Sequence, residues 1–149
     1  MPVHLQHKHQ TTTYGSTALH MAICVGDLDI IQFLLDEGLP PNVTNHYGET
    51  PLHWAAKLAN GAVIRALLEM GARHDIQDGD GNTPLHWACE YDNPEAAIWL
   101  LEYGANRDIR NDTHFTPLEL AKREDSQRVL SIIVPPVYTK TSSTINIVL

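Results

Sequence analysis

The sequence is poor in cysteine, in positive charge and in long apolar runs, and each shortage removes a class of function. Its two cysteines, Cys24 and Cys89, show neither paired nor metal-ligand spacing, so a disulfide framework or a zinc ribbon is not in prospect. A reduced, intracellular setting is the expectation, with small buried thiols on short helices. Lysine and arginine total 10 against 18 aspartates and glutamates, a net charge of −8. Ten scattered cations do not make the basic stripe that phosphate binding needs, which argues against a nucleic-acid partner. An acidic surface favours solubility and a partner that carries a basic patch. No apolar run approaches the roughly 18 residues of a membrane span. Residues 1–10 lack the apolar core of a secretory signal. Catalytic signatures are missing too: there is no G-x-S-x-G elbow and no phosphate-cradling glycine loop followed by lysine. Asp78-Gly79-Asp80-Gly81-Asn82 has some likeness to a calcium loop but lacks the spacing and the closing glutamate. No catalytic residue, cofactor or metal is therefore expected.

What the sequence does contain is apolar content of 43% with 19% charged residues in 149 positions, enough for one folded domain with a real core. It also contains a repeat. Thr17-Ala18-Leu19-His20, Thr50-Pro51-Leu52-His53, Thr83-Pro84-Leu85-His86 and Thr116-Pro117-Leu118-Glu119 follow one another at 33-residue offsets. Gly15, Gly48 and Gly81 precede the first three threonines by two residues. Ala22, Ala55, Ala88 and Ala121 follow each threonine by five. The pairs Leu34-Leu35, Leu67-Leu68, Leu100-Leu101 and Ile133-Val134 keep the same register, and Gly38, Gly71 and Gly104 follow the first three pairs.

Each unit has a physical reading. The threonine can cap a helix and the proline suits its first turn. A short alanine-rich helix follows, then a break, then a second helix with apolar residues at helical spacing, such as Val63, Ile64, Leu67 and Leu68. The glycine three residues after the leucine pair is placed for a left-handed helix end. Polar segments such as Gln77 to Gly81 read as tight turns. One unit cannot bury its own apolar face, so the units must stack, and end units are expected to differ. Ala18 in place of proline, and Glu119 and His114 in place of His and Gly, fit that expectation. So does the charged run Lys122 to Arg128.

This pattern resembles the ankyrin-repeat family over about residues 12–134, and the T-P-L-H motif in strict register is specific to it. The resemblance implies an all-α repeat solenoid, helix-turn-helix units joined by β-hairpin loops. The expected divisions are a flexible tail over 1–11, repeats at about 12–44, 45–77, 78–110 and 111–134, and a C-terminal tail over 135–149. Pro135-Pro136 should stop the last helix. The N-terminal His4, His7 and His9 are read as part of a mobile polar tail, with metal binding as the alternative. For the β-branched, nearly uncharged tail 137–149, packing on the last repeat or truncation from a longer protein is preferred over capture by a partner as an added strand.

The resemblance also implies a function, protein binding, and a place for it. His20, His53 and His86 should bond locally and join neighbouring loops. Trp54 and Trp87 stand at equivalent first-helix positions and are assigned to the core between helices. Trp99 is assigned to core packing, with an outer-face contact as the alternative. Family proteins bind partners on the concave side, at loop tips and exposed first-helix positions. Carried over position by position, the partner-binding candidates are Tyr14, His46, Tyr47, Glu49, Lys57, Leu58, Asp80, Asn82, Glu90, Tyr91, Asp112, Phe115 and Arg123, with Cys24 and Val25 at the matching first-repeat positions. Aromatic anchors ringed by polar groups are the composition of an interface hot spot. The expected protein is a cytoplasmic monomer without a membrane or nucleic-acid partner, an adaptor or inhibitor that takes a basic or amphipathic segment. A targeting domain of a larger protein or enzyme is one alternative. A pathogen effector that mimics a host ankyrin protein is another, which would place it in host cytosol; the nucleus is a further location.

Overall fold

The computed structural model describes residues 11–13, 15–58 and 61–134. Among these the chain forms eight helices and no strand. They run α1 Ala18–Val25, α2 Leu28–Asp36, α3 Pro51–Leu58, α4 Gly61–Glu69, α5 Pro84–Glu90, α6 Pro94–Glu102, α7 Pro117–Arg123 and α8 Gln127–Ile133. Two helices thus recur in each 33-residue period. The tail segments 1–10 and 135–149, with the three N-terminal histidines and the Pro135-Pro136 stop, lie outside the described residues.

The helix boundaries follow from side chains. Thr83 and Thr116 sit in extended backbone before α5 and α7, and their hydroxyls accept from the N–H of His86 and Glu119 at 3.4 and 3.3 Å. Proline then fills the first helical position of α3, α5 and α7. Asp27 opens α2 by accepting from Asp29 and Ile30 N–H, and Asn93 opens α6 by accepting from Ala96 N–H. The second helices end alike. Leu39 N–H donates to the Leu34 carbonyl and Gly38 N–H to that of Leu35; Ala72 and Gly71, then Ala105 and Gly104, repeat the pair of bonds. The glycines hold φ of 85°, 90° and 88°, the left-handed closure that a side chain resists. The first helices close on the same conformation with other residues: Gly26, then Asp92 at φ 49° and Asp125 at φ 56°. Asp92 adds a second role, since its carboxylate accepts the Val129 N–H of the next repeat at 2.9 Å.

Packing is nearest-neighbour throughout. The first helices form one layer, α1 on α3 on α5 on α7, and the second helices another, α2 on α4 on α6 on α8. Leu19, Leu52, Leu85, Ile64, Leu67 and Leu100 are buried between them. Alanines at 55, 88 and 121 are fully buried as well, which lets the first helices approach closely.

The connections are turns rather than strand hairpins. Successive tips are linked by single backbone bonds, Gly79 N–H to the Tyr47 carbonyl at 2.7 Å and Asp112 N–H to that of Asp80 at 3.0 Å. One bond between neighbouring tips is too few to make a ladder, so the hairpins are turns without strand pairing. Each turn is closed by its own backbone bonds, such as Asn45 N–H to the Glu49 carbonyl and Asp78 N–H to that of Asn82, and by a side chain. The Asn45 amide oxygen accepts from Tyr47 and Glu49 N–H, and the Asp78 carboxylate from Asp80 and Asn82 N–H. Gly79 permits the close approach of tips: a Cβ there would stand 2.9 Å from the Tyr47 carbonyl oxygen.

Candidate functional site

The motif histidines fix the turns to the first-helix layer. In His53, Nδ1 accepts from Thr50 N–H at 3.0 Å, and Nε2 lies 2.9 Å from the Asn82 carbonyl. A backbone N–H pointing at Nδ1 demands a lone pair there, so the proton sits on Nε2 and is donated to the next repeat. His20 repeats this with Thr17 and Glu49, and His86 with Thr83 and Phe115. The expectation for these three residues is met. In the last repeat Glu119 takes over the local half of the task, accepting from Thr116 N–H at 2.8 Å. Its carboxylate then pairs with Arg110 at 2.7 Å rather than with a further repeat.

Burial lowers the pKa of all three histidines below the usual 6.5; contacts with the next repeat, and with Glu49 or Asp78, oppose the shift only in part. The sign for stability follows directly. The unfolded chain binds protons on these histidines as pH falls through 6.5, before the native state does. Their contribution is complete above about pH 6.5 and is lost as pH drops from there toward the lowered native values. Each histidine then loses at most about 1.4 kcal/mol per pH unit across that window. The thermal midpoint should be flat from pH 8 to 7 and fall steeply toward pH 5. A midpoint that is independent of pH over that range contradicts the neutral Nε2–H assignment.

The first helices and the turns line two clefts. One, of about 310 Å³, is lined by Cys24, Glu49, Trp54, Lys57, Leu58 and Trp87. The two tryptophans pack against the core as expected, and they also line the cleft. They are half-buried, and each packs edge-on against the histidine of the preceding repeat, Trp54 on His20 and Trp87 on His53. Their indole N–H groups donate to carboxylates of their own turns, Trp54 to Glu49 at 2.7 Å and Trp87 to Asp78 at 2.8 Å. An indole needs a partner for its N–H. The acidic turn supplies one, and that holds the ring at the surface of the layer. Cys24 corrects the sequence reading: it is exposed at the cleft, while Cys89 is buried, its thiol pushed up to about 12 mainly by burial.

The second cleft, of about 230 Å³, has a lining that includes Asp80, Asn82, Glu90, Asp112 and Arg123. Burial and the neighbouring Glu124 carboxylate raise the pKa of Glu90, and Arg123 and Lys57 only partly offset this. Tyr91 meets Lys57 of the first cleft, with the ammonium 4.3 Å from its ring centre and 3.2 Å from its hydroxyl. Tyr47 is 56% exposed on a turn tip, and Leu58 and Val25 are exposed too.

The family comparison agrees with this architecture. A family model described as ankyrin repeats (3 copies) matches residues 3–78, and a second, ankyrin repeats (many copies), matches residues 67–121. The chain belongs to the ankyrin-repeat family. No curated protein matches it. Ankyrin repeats generally mediate protein–protein interaction and are typically binding modules rather than enzymes. In this ankyrin protein eight of the candidates fall into the two clefts: Glu49, Lys57 and Leu58 in the first, and Asp80, Asn82, Glu90, Asp112 and Arg123 in the second.

The other candidates are placed differently. Tyr47 and Tyr91 stand exposed beside the clefts. His46 is exposed and lies over Gly15, where a Cβ would meet its ring at 2.5 Å. Phe115 is half-buried beneath the Arg123 guanidinium, 4.9 Å above its ring. It is therefore covered rather than presented as an anchor. Tyr14 lies outside the described residues. Trp99 takes the core-packing role: it is partly buried against the core, lies against Gly61 of the preceding repeat and carries the Arg65 guanidinium 5.6 Å from its ring. The residues that the sequence reading missed are Trp54 and Trp87, and the signal for them was at hand. Each has an acidic residue, Glu49 or Asp78, on the turn before it. Among the described residues no group of His, Cys, Asp and Glu could hold a metal ion, and no helix is long and apolar enough to cross a membrane.

Proposed function

We propose that this ankyrin protein is an adaptor or inhibitor that captures a basic or amphipathic segment of another protein at these clefts. The observation that carries the reading is the presence of two unlike clefts, one lined by repeats one to three and the other by repeats three and four. One is floored by tryptophan and leucine, and the other is lined by Asp80, Glu90 and Asp112. An apolar side chain of the partner fits the first and displaces water from the indole faces. A lysine or arginine fits the second, beside the Asp80, Glu90 and Asp112 carboxylates. Tyr47 and Tyr91 flank the clefts as rigid, amphipathic contact surface. Unlike chemistry in the two clefts also sets the direction in which a segment lies. The cell's cytosol is the compartment proposed for this capture.

The test compares wild type with a Tyr47→Ala/Tyr91→Ala double variant in capture from native cell extract, followed by titration of the captured protein. Both side chains are exposed, so folding should be little affected. The expected loss is about 1–3 kcal/mol for each anchor, and binding should weaken as salt rises. Equal affinity of the double variant for the captured protein removes the clefts from consideration.

A further inference from the structure

The outer end of the first repeat exposes a face that the other repeats bury. Ile30 on α2 is 46% exposed, while Val63, Ala96 and Val129, its equivalents at 33-residue offsets, are all at 0%. Phe33 is 62% exposed where Ala66 stands at 8%. Leu34 is half-buried, whereas Leu67 and Leu100 are fully buried. The difference lies in the neighbour. α4 packs on α2, α6 on α4 and α8 on α6, and among the described residues no helix precedes α1. These positions therefore face the preceding repeat, and what covers them in each later repeat is helix.

Polar groups beside the same positions grip the covering helices. The Glu95 carboxylate accepts the N–H of Gly61, the first residue of α4, at 2.7 Å. The Asn93 side-chain amide donates to the Ala56 carbonyl near the end of α3 at 3.0 Å. In the first repeat the positions of Glu95 and Asn93 are held by Asp29 and Asp27. Asp36 and Glu37 add to the negative charge, and no lysine or arginine occurs between Lys8 and Lys57. The face is thus shaped for a helix and surrounded by charge of one sign.

The geometry points to this end face as a docking surface for an amphipathic, basic helix of another protein. Its apolar side chains seat on Ile30, Phe33 and Leu34, whose i, i+3, i+4 spacing makes a ridge that a helix groove accepts. Its positive N-terminus, or a lysine or arginine, meets Asp29, as Gly61 N–H meets Glu95 in the stack. The surface is at the end of the second-helix layer, apart from the clefts on the first helices. It is a second site, independent of the reading above.

The test uses the full chain and two synthetic peptides of about 14 residues, near the length at which an isolated helix begins to hold. One places leucine at helical spacing among lysines; the other replaces every lysine with glutamate. Fluorescence anisotropy of the labelled peptide gives affinity, and amide chemical shifts give location. The lysine peptide should bind and shift amides of residues 28–36. An Ile30→Ser/Phe33→Ser variant should bind it at least about tenfold more weakly, a loss of about 1.4 kcal/mol. In the Tyr47→Ala/Tyr91→Ala variant the affinity read from the amides of residues 28–36 should stay within a factor of about two of wild type, a difference of under about 0.5 kcal/mol. Both serines replace exposed side chains, and an unchanged circular dichroism melt checks that the fold is kept. Equal binding by the serine variant, equal binding of the glutamate peptide, or shifts confined to the clefts overturn the proposal. Binding only after removal of residues 1–10 overturns it as well, because that segment would then be the occupant. So does a dimer in sedimentation that Phe33→Ser abolishes, which would make a second copy the occupant.

Discussion

Replacing His53 with alanine should destabilise the protein by about 3 kcal/mol or more, far beyond the effect of the same change at Glu119. His53 is fully buried and sits between two repeats. Its loss leaves the Thr50 N–H without its Nδ1 acceptor and the Asn82 carbonyl without its Nε2 donor. Each buried group left unpaired costs about 1–3 kcal/mol, and the missing ring also takes away the edge contact that Trp87 makes at 5.6 Å. Glu119 occupies the same register position but is only half-buried. It keeps one local bond to Thr116 and a surface pair with Arg110. That local bond is one half of a capping box at a helix start, and an exposed ion pair adds little more than nothing. Urea unfolding of the two alanine variants, read at constant m-value, gives the comparison. Equal losses at the two positions contradict the inter-repeat role of the histidine.

A second large effect is expected from Leu67→Ala, and its size should depend on the neighbour rather than on the residue. Leu67 is fully buried on α4 against the preceding repeat. Truncating such a leucine costs about 2–5 kcal/mol, because a cavity remains in a stack that cannot collapse around it. That is a large share of the 5–15 kcal/mol that stabilise a typical domain. Leu34 is the same residue one repeat earlier, half-buried because no described helix covers it. Leu34→Ala should cost about half as much, in proportion to the area removed from contact. In a linear stack, stability is close to a sum of units and interfaces between neighbours. Leu67→Ala therefore weakens an interface as well as a unit, and the unfolding transition should broaden. A cost at Leu34 equal to that at Leu67 would show that its end face is covered in solution.

These two comparisons mark the line between what the chain order gives and what the stack adds. The 33-residue register, the helix pair in each period, the threonine and proline starts and the glycine ends at 38, 71 and 104 were all legible from residues alone. They depend on local rules: a cap acts within three residues, and a left-handed end needs a glycine at one place. The histidine role was legible through the family motif. The core contact of the tryptophans was legible but their cleft face was not, because periodicity assigns the same position to each repeat without saying which side of the layer it faces. Trp54 and Trp87 face the cleft because Glu49 and Asp78 hold their indole N–H groups there. Phe115 looked like an exposed anchor on a turn tip, and Arg123, eight positions along and folded back over it, covers it.

Sequence by itself determined the repeat, its helices and the family, because each rests on short-range chemistry repeated in register. Only the tertiary structure decided which surfaces are free. The two clefts form because turns and helices of different repeats line them, repeats one to three the first and repeats three and four the second. The first repeat bares Ile30 and Phe33 because burial in a solenoid comes from the unit before. Such contacts bring together residues about one period apart, and no window along the chain contains both partners.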